Sequence, residues 1–361
     1  MSRANRGKKK RILVLRYRFI GDTILAVPFF RNLRRAYPDA YIAWVLAPGS
    51  SDAVKGIPYV DELIYWDPVT IHADSRGQHR TFSEKFEFFR ALRRRKFDTV
   101  YVLKRSFSSA LMAFVTGARE RIGFNTEGRG FLLTKRVAYR PGQHEVLNFL
   151  DVLKSDGIVC TDDQLEIWLD AAEQQEAAHL LQGHKKVLAL HPFASSGAKS
   201  WPLERFAAVA AAMHERFGLV PAVLGGPRDA VANPQIARLF PPGTLNLVGA
   251  CSLRTSMALL AQSAAFVGND SGIMHLAAAS GIPVVAVFGP TSPVRFGPWG
   301  TNTRVVYSKF ACSPCKQRLF TECTPTADGR ARCLDEISVE MVLEQLERLL
   351  SVRTHQGKDD A

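Results

Sequence analysis

The chain has 361 residues, of which 47% are hydrophobic and 22% charged, and its formal net charge is +13 at pH 7. This balance excludes disordered and fibrous proteins, and the length predicts two domains of about 150–180 residues each. No stretch of about 20 residues is free of Gly, Pro and charged interruptions, so we expect no membrane-spanning helix.

The predicted elements of the first half alternate between apolar strands and helices. The predicted strands are Arg11–Arg16, Tyr41–Leu46, Glu62–Trp66 and Asp98–Leu103, and the predicted helices are Gly21–Tyr37 and Phe82–Lys96. The start of the chain is basic, but the apolar segment after it is too short for a secretory signal, so we expect no export.

The second half repeats this alternation. Its predicted strands are Lys186–His191, Leu219–Leu224, Ala265–Val267 and Pro283–Phe288. Its predicted helices are an alanine-rich one from Ala171 onwards, Leu203–Phe217, Asp229–Phe240, Leu253–Ser263, Met274–Ser280 and Ser338–Leu350. The pattern predicts an α/β fold with two doubly wound parallel sheets, whose ligands lie beyond the carboxyl ends of the strands and in a cleft between the domains.

The positive charge is concentrated in the first half. Residues 1–157 contain 29 Lys and Arg against 15 Asp and Glu, whereas the remainder contains 18 against 19. Such a field favours an anionic partner, which could be nucleic acid, a phosphorylated glycolipid or a membrane surface. A basic disordered start together with cations at helix ends is the alternative interpretation.

Several common site motifs are absent from the sequence. It has no G-x-G-x-x-G, no G-x-x-x-x-G-K-[ST] and no G-x-S-x-G, which weakens the dehydrogenase, P-loop and α/β-hydrolase interpretations. It also has no D-x-D, the usual carboxylate pair that holds a divalent ion against a nucleotide diphosphate.

One candidate segment follows the first predicted strand and reads RYRFIGDT. Gly21 allows a tight strand-to-helix turn, and Asp22 stands near the helix start. From spacing alone, Asp22 either caps the helix or faces a ligand.

A second candidate segment, GNDSGIMHL, connects a strand to an alanine-rich helix. Free N–H groups at that helix start, together with Ser271, form an anion site of the kind that binds phosphate. Asp270 and His275 add more polar groups than a helix cap requires, which favours a ligand site.

Three further loops follow predicted strands of the second half. In HPFASSGAKSWP, Lys199 either pairs with a diphosphate or is a solvated loop cation. In LGGPRD, Asp229 is placed like a carboxylate that accepts ribose hydroxyls. The rigid loop GPTSP, residues 289–293, could line the same cleft.

Together these segments resemble the bacterial lipopolysaccharide heptosyltransferase family. The resemblance runs from about Arg11 to Leu350 and is carried by RFIGDTILAVPFFRNLRRAYPDAYIAWV, RERIGF, LALHPFASSGAKSWPLERF and GNDSGIMHLAAASGIPVVAVFGPTSPVRFGPWG. It implies an inverting, metal-independent glycosyltransferase with two Rossmann-like domains in the GT-B arrangement, facing across a cleft, and a C-terminal helix. It further implies an ADP-heptose donor and a phosphorylated lipid A–core acceptor at the cytoplasmic face of the inner membrane. The enzyme is then expected to be cytoplasmic and peripheral to that membrane, with no nucleic-acid partner and no cofactor for catalysis.

The resemblance also assigns roles to residues. It makes Asp22 the catalytic base and Lys199 the group that holds the donor phosphates. The expected donor-binding residues are Ser195, Ser196, Lys199, Gly226, Asp229, Asp270, Ser271, Gly272 and His275. The match at Asp229 is weaker, because the family often has Glu there. The candidates for binding acceptor phosphates, chosen from the basic first domain, are Arg18, Lys104, Arg105 and Arg121.

The predicted domain boundaries follow from the same reasoning. We expect a basic flexible start at 1–10, an acceptor-binding domain at 11–168 and a nucleotide-sugar-binding domain at 169–336. A C-terminal helix at 337–351 and a flexible tail at 352–361 complete the chain.

Four cysteines in the segment 312–333 follow C-x2-C-x7-C-x9-C. Cys312, Cys315, Cys323 and Cys333 suggest a structural zinc site, although the second pair is more widely spaced than in a usual zinc ribbon. Reduced or partly paired thiols are the alternative interpretation.

Two other functions stay open on the sequence alone. The first is transfer of another nucleotide-activated sugar to a cell-envelope glycolipid. The second is a non-catalytic, basic nucleotide- or nucleic-acid-binding protein. The scatter of Phe19, Phe107 and Tyr139 argues against nucleic-acid binding, and the presence of both Asp22 and Lys199 argues against a catalytically inactive relative.

Overall fold

The computed structural model describes residues 9–68, 79, 81–315, 323 and 331–359, with side chains described as far as 351. The chain divides into two compact units, Met1–Gln164 and Leu165–Ala361. Within the described ranges, no helix is both long enough and apolar enough to cross a membrane.

The described residues of unit 1 form six strands and six α-helices. The strands are β1 (Arg11–Leu15), β2 (Tyr41–Leu46), β3 (Glu62–Tyr65), β4 (Thr99–Val102), β5 (Glu120–Phe124) and β6 (Lys135–Val137). The helices are α1 (Ile20–Leu25), α2 (Val27–Ala36), α3 (Pro48–Ser51), α4 (Phe82–Arg94), α5 (Phe107–Val115) and α6 (Glu145–Ser155).

The strands of unit 1 form one parallel sheet in the order β3-β2-β1-β4-β5-β6. In its register, Leu15 of β1 pairs with Val45 of β2 on one side and with Val102 of β4 on the other. These three side chains are fully buried in one core beneath the sheet. Near-continuous apolar runs such as RILVL form such strands because helices cover both faces of the sheet.

The described part of unit 2 contains six strands and nine α-helices. Its strands are β7 (Val187–His191), β8 (Val220–Gly225), β9 (Leu245–Val248), β10 (Ala265–Asn269), β11 (Val284–Phe288) and β12 (Thr303–Tyr307). Its helices are α7 (Ala171–Leu180), α8 (Leu203–Phe217), α9 (Pro227–Ala232), α10 (Ile236–Leu239), α11 (Leu253–Ala261), α12 (Gly272–Ala279), α13 (Pro293–Phe296), α14 (Arg332–Asp335) and α15 (Val339–Asp359).

The second sheet is also parallel, in the order β12-β11-β10-β7-β8-β9. Leu190, Val223 and Val267 come from three neighbouring strands and are fully buried in its core. Burial of each such side chain contributes on the order of 1.5–3 kcal/mol to folding. The final helix α15 packs on the same core through Val342 and Leu346.

Both sheets reverse their strand order at the centre, as the Rossmann-like order does. In unit 1 the reversal lies between β1 and β4, and in unit 2 it lies between β7 and β10. Ligands of doubly wound sheets bind outside the carboxyl ends of the strands at this switch point. The fold therefore predicts that the loops after β1, β4, β7 and β10 bind ligands.

The predicted elements differ from the observed ones at identifiable places. The helix predicted over Gly21–Tyr37 is divided into α1 and α2 at Ala26, just before Pro28. The helix predicted over Asp229–Phe240 ends at Ala232 and resumes at Ile236, since Pro234 disfavours helical backbone at the residue before it. Helix α15 continues beyond the predicted end at Leu350.

The strands that the pattern did not predict lie at or next to the sheet edges. These are β5, β6, β9 and β12. Three of them are partly exposed along their length, so their sequences lack a continuous apolar run. The predicted flexible start falls largely on residues 1–8, which lie outside the described residues.

Candidate active site

The turn after β1 has a backbone that is unusual for its residues. Arg18 has φ 77° and Phe19 has φ 61°, in the left-handed region that non-glycine residues seldom adopt. Such a conformation costs on the order of 1–3 kcal/mol, and it is typical of functional sites held by surrounding structure. The turn delivers the chain into α1, whose first turn contains Asp22.

Asp22 does not cap this helix. The N-cap position is occupied by Phe19, and no side chain donates or accepts a capping hydrogen bond there. Instead, the Asp22 carboxylate forms an ion pair with the Arg16 guanidinium, and both side chains are largely buried, with exposed fractions of 17% and 11%. The structure thus excludes the capping alternative: Asp22 is held as a paired carboxylate beside the end of β1.

Lys104 lies next to this pair, at the end of the neighbouring strand β4. Its Nζ atom is 4.4 Å from the centre of the Tyr17 ring. Burial, with smaller contributions from Arg16 and Arg18, lowers the pKa of Lys104 from 10.5 to about 7, and Asp22 opposes the shift. This lysine can therefore gain or lose a proton near neutral pH.

The other predicted acceptor-binding residues are placed differently. Arg18 belongs to the cationic group around Lys104. Arg105 follows Lys104, and its guanidinium lies 4.0 Å from the centre of the Tyr139 ring. Arg121 lies near the start of β5, at the opposite end of the sheet from the turn after β1. Its guanidinium donates to the carbonyls of Ala118 and Leu132, so the structure does not bring Arg121 to Asp22.

In unit 2, three loops converge on the carboxylate of Asp270. Asp270 follows β10, and its Oδ2 atom accepts from Lys199 Nζ at 2.8 Å and from the Thr291 hydroxyl at 2.7 Å. Asp270 and Thr291 are buried, and the Lys199 side chain is 17% exposed. A buried ion pair of this kind fixes the position of the ammonium group before any ligand arrives.

The helix that follows Asp270 begins with the predicted phosphate-binding segment. Ser271 is the N-cap of α12 and accepts from Met274 N at 3.3 Å, while Gly272 is the first helical residue. Ser271 Oγ also lies 3.3 Å from His191 Nδ1, at the end of β7. Burial lowers the pKa of His191 to about 4, so this imidazole is neutral near pH 7. His275 is buried one turn into the helix.

The predicted serines of the loop after β7 differ in exposure. Ser195 is exposed, whereas the Oγ atom of Ser196 is buried and has no hydrogen-bond partner among the described residues. A buried hydroxyl without a partner is costly, and an anionic ligand would satisfy it.

Asp229 lies at the start of α9 and is engaged with its own turn. Its Oδ2 atom accepts from the backbone N of Gly226 at 2.8 Å. Asp229 also lines a cavity of about 450 Å³ together with Phe193, Gly197 and Asn233. That volume falls in the range of small-molecule sites.

The cysteine segment is only partly described. Cys333 is buried against Gly289, and burial raises the pKa of its thiol to about 11, with a smaller contribution from Cys323 and Cys312. Within the described ranges, no three His, Cys, Asp or Glu side chains are grouped as metal ligands. Residues 316–322 and 324–330 lie outside the described residues, so the zinc site stays a prediction.

Three residues important to this geometry were missed by the site prediction. Arg16 pairs with Asp22, and Thr291 with Asp270. Asn269 is fully buried, donates to Pro192 O at 2.8 Å and accepts from Trp201 N at 3.1 Å, which holds the loop that contains Lys199. The F-G-P-T segment marked the Thr291 loop, but no sequence signal marked the other two pairings.

Comparison with known proteins places the chain in a family. The sequence model of glycosyltransferase family 9 (heptosyltransferase) matches residues 85–323. A curated relative, lipopolysaccharide heptosyltransferase 2 of Escherichia coli K12, is 30% identical over 362 residues, which cover 94% of this chain and 98% of the relative.

Solved structures agree with this assignment. A glycosyl transferase of family 9 from Veillonella parvula has a TM-score of 0.81 and 26% identity, covering 94% of this chain and 97% of that one. The E. coli heptosyltransferase WaaC, solved with ADP, has a TM-score of 0.71 and 19% identity, covering 94% and 99%. The expected α/β fold of two Rossmann-like units is confirmed. The chain is a glycosyltransferase and belongs to glycosyltransferase family 9, the heptosyltransferase family.

Proposed function

We propose that this glycosyltransferase transfers heptose from ADP-heptose to a phosphorylated lipopolysaccharide inner-core acceptor, with inversion and without a metal ion. The names of the relatives support the sugar and the acceptor class: one is a lipopolysaccharide heptosyltransferase, and a structural neighbour was solved with ADP. The observation that carries the proposal is that the switch points of the two sheets hold different charged groups. The switch point of unit 1 holds the Asp22 carboxylate among cations, and that of unit 2 holds Lys199, paired with Asp270, beside the start of α12.

Asp22 is the proposed general base. In an inverting displacement, the acceptor hydroxyl attacks the anomeric carbon from the face opposite the leaving group and must lose its proton as the bond forms. The Asp22 carboxylate accepts that proton. Arg16 holds this carboxylate in place through the ion pair, so Arg16 is a positioning residue.

The donor diphosphate is assigned to unit 2. Lys199 supplies a positive charge for the leaving ADP, and Ser196 supplies a buried hydroxyl that has no partner within the described part of the chain. The N–H groups at the start of α12, with Ser271 and Gly272, add donors aimed at the phosphates. These groups are fixed before reaction, and fixed donors stabilise developing charge more effectively than reorganising solvent does.

This donor site offers a physical reason for a reaction without metal. A divalent ion usually neutralises a leaving diphosphate, and the chain has no D-x-D to hold one. Here Lys199 and the helix start would supply that neutralisation instead. Asp229 and Gly226 are proposed to contact the ribose, with the Asp229 carboxylate shared between the ribose hydroxyls and Gly226 N.

The acceptor is assigned to unit 1. Lys104, Arg18 and Arg105 lie near the ends of β1 and β4, and we assign them to the phosphates of the acceptor. An acceptor of this class is anchored in lipid, so the enzyme is proposed to act in the cytoplasm, bound peripherally to the inner-membrane surface, with no nucleic-acid partner.

The test is transfer to heptose-deficient lipopolysaccharide from a panel of nucleotide sugars, read by mass spectrometry of the glycolipid. ADP-heptose should add one heptosyl residue, and UDP-glucose and GDP-mannose should add nothing above background. Equal or faster transfer from another nucleotide sugar would replace the donor assignment while leaving the glycosyltransferase assignment intact.

A further inference from the structure

Helix α5 presents an apolar face to solvent. Phe107, Leu111 and Phe114 are 45%, 41% and 50% exposed and are spaced so that they form one stripe of the helix. Phe131, on the adjacent 3-10 helix Arg129–Leu132, is 67% exposed, and its ring centre lies 6.2 Å from that of Phe107. These four side chains are called the α5 apolar face below.

This face differs from the ordinary scatter of surface hydrophobic residues. Single exposed apolar side chains are normal, whereas a contiguous group marks an interaction site. The large exposed hydrophobic residues described in unit 2 lie on separate elements: Phe217, Val231, Val294 and Met341. The clustering therefore belongs to unit 1, the unit with the positive charge.

Two arginines lie at the C-terminal end of the α5 apolar face. The Arg121 guanidinium lies 5.5 Å from the centre of the Phe114 ring, and Arg93 Nη1 lies 3.4 Å from Val115 O, at the end of α5. Arg93 shares a stripe of α4 with two more exposed aromatic residues, Phe82 and Phe86. Residues 81–140 contain fourteen Lys and Arg against five Asp and Glu. Aromatic side chains rimmed by cations suit the surface of an anionic bilayer, where the rings enter the headgroup boundary and the cations contact phosphates.

The α5 apolar face is continuous with the proposed acceptor site. Helix α5 begins just after Lys104 and Arg105, at the carboxyl end of β4. The buried Arg129 guanidinium donates to Lys104 O at 2.6 Å and to Ser106 O at 2.7 Å, which ties the 3-10 helix of Phe131 to the same loop. A glycolipid anchored in a bilayer against this face would present its sugar headgroup close to that loop.

We propose that the α5 apolar face is the surface by which the enzyme docks on an anionic lipid bilayer. This inference rests on the proposed function only in that the acceptor is taken to be a glycolipid. Binding to the bilayer requires no catalysis, so an experiment can contradict the docking surface without contradicting the proposed heptosyl transfer, and the reverse.

The test compares a double variant with a matched control. Leu111→Gln/Phe114→Gln removes the part of the face farther from Lys104, and glutamine retains good helix propensity. Phe217→Gln/Met341→Gln is the control, since these side chains have similar exposure, 40% and 38%, in unit 2. Each protein is sedimented with vesicles of phosphatidylcholine and phosphatidylglycerol and with vesicles of phosphatidylcholine alone. Transfer is measured on acceptor embedded in the mixed vesicles and on a lipid-free core oligosaccharide.

The parent and the control should bind the mixed vesicles, and salt should weaken that binding. The Leu111→Gln/Phe114→Gln variant should bind at least about tenfold more weakly and lose transfer to the embedded acceptor, while transfer to the lipid-free acceptor is unchanged. Vesicle binding that is equal in parent and double variant would overturn the proposal. The proposal would also be overturned if sedimentation velocity showed that the parent and the control are dimers and the double variant is a monomer, while vesicle binding is the same for all three. The α5 apolar face would then be a dimer interface. If no acceptor is glycosylated and the vesicle result still holds, the proposed function fails and the docking surface stands.

Discussion

Lys199 and Asp270, which lie 71 residues apart in sequence, meet at 2.8 Å between Nζ and Oδ2. The contact forms because β7 and β10 are neighbours in the second sheet, so the loops that follow them share one edge. Thr291, in the loop after β11, donates to the same carboxylate oxygen at 2.7 Å. The result is a lysine whose ammonium group is oriented by two loops other than its own.

Replacement of Lys199 by Met should weaken ADP binding and reduce kcat/KM by about 10²–10³, because the charge that meets the leaving diphosphate is lost. Isothermal titration with ADP and steady-state kinetics measure the two effects. Lys185→Met is the control, since it removes an exposed lysine of the same unit. Equal losses in both variants would mean that Lys199 acts only through general surface charge.

Replacement of Ser196 by Ala should weaken ADP binding without lowering the thermal stability of the protein. The variant removes a buried hydroxyl that has no partner within the described part of the chain, so the melting temperature should stay the same or rise. Affinity for ADP should fall by about tenfold, the effect of one hydrogen bond to a charged group. Ser195→Ala, at an exposed position, should change neither quantity. A Ser196→Ala protein that binds ADP as tightly as the parent would remove Ser196 from the donor site.

The pKa of Lys104 predicts a pH dependence of acceptor binding. Because this pKa is about 7, the ammonium form is lost as the pH rises through 7, and KM for the acceptor should increase over that range, by up to about tenfold per pH unit. The Lys104→Arg variant stays charged, so its KM should change less with pH. Identical pH profiles for parent and Lys104→Arg would show that Lys104 does not bind the acceptor as a cation.

The lowered pKa of Lys104 also predicts how the free energy of unfolding depends on pH. The lysine is protonated in the unfolded chain up to its ordinary pKa of 10.5 but loses its proton in the folded chain near 7. The unfolded state therefore binds more protons between these values, and the free energy of unfolding of the parent should rise with pH relative to that of Lys104→Met. Denaturant titrations of both proteins at several pH values measure this difference. A difference that is constant with pH would contradict the shifted pKa.

Metal removal should not affect the reaction. Transfer measured after dialysis against EDTA should equal transfer with added Mg²⁺, because Lys199 and the start of α12 are proposed to neutralise the diphosphate. Elemental analysis of the purified protein before dialysis reports on the separate question of zinc at Cys312, Cys315, Cys323 and Cys333. Activity that disappears with EDTA and returns with a divalent ion would refute metal-independent transfer.

The sequence was sufficient to predict which segments follow the carboxyl ends of the central strands. Strands such as RILVL and VVAVF are unambiguous, and the loops after them hold Asp22 and Thr291 at the carboxyl edge of a parallel sheet. What it did not predict is which groups pair across those loops. The Arg16–Asp22 pair depends on a turn with positive φ at Arg18 and Phe19, which no residue type there signals.

Most of the other features that the sequence did not predict are long-range hydrogen bonds and strands at or next to the sheet edges. The hydrogen bonds of Asn269 to Pro192 and Trp201 follow from strand order in the folded sheet. The short strand β6 has too few apolar residues to stand out, and its neighbour β5 begins with charged ones. Arg121 was grouped with the acceptor-binding residues by its basic character, although its position on β5 places it at the other end of the sheet from Asp22.

The central claim is that the carboxylate of Asp22 takes the proton of the attacking hydroxyl, and single-turnover transfer from ADP-heptose by Asp22→Asn tests it most directly. Asn is nearly isosteric and cannot accept that proton as a carboxylate does, so transfer should fall by at least about 10²–10⁴ while ADP affinity and folding by circular dichroism match those of the exposed control Asp39→Asn. Transfer by Asp22→Asn at a rate close to that of the parent would contradict the account.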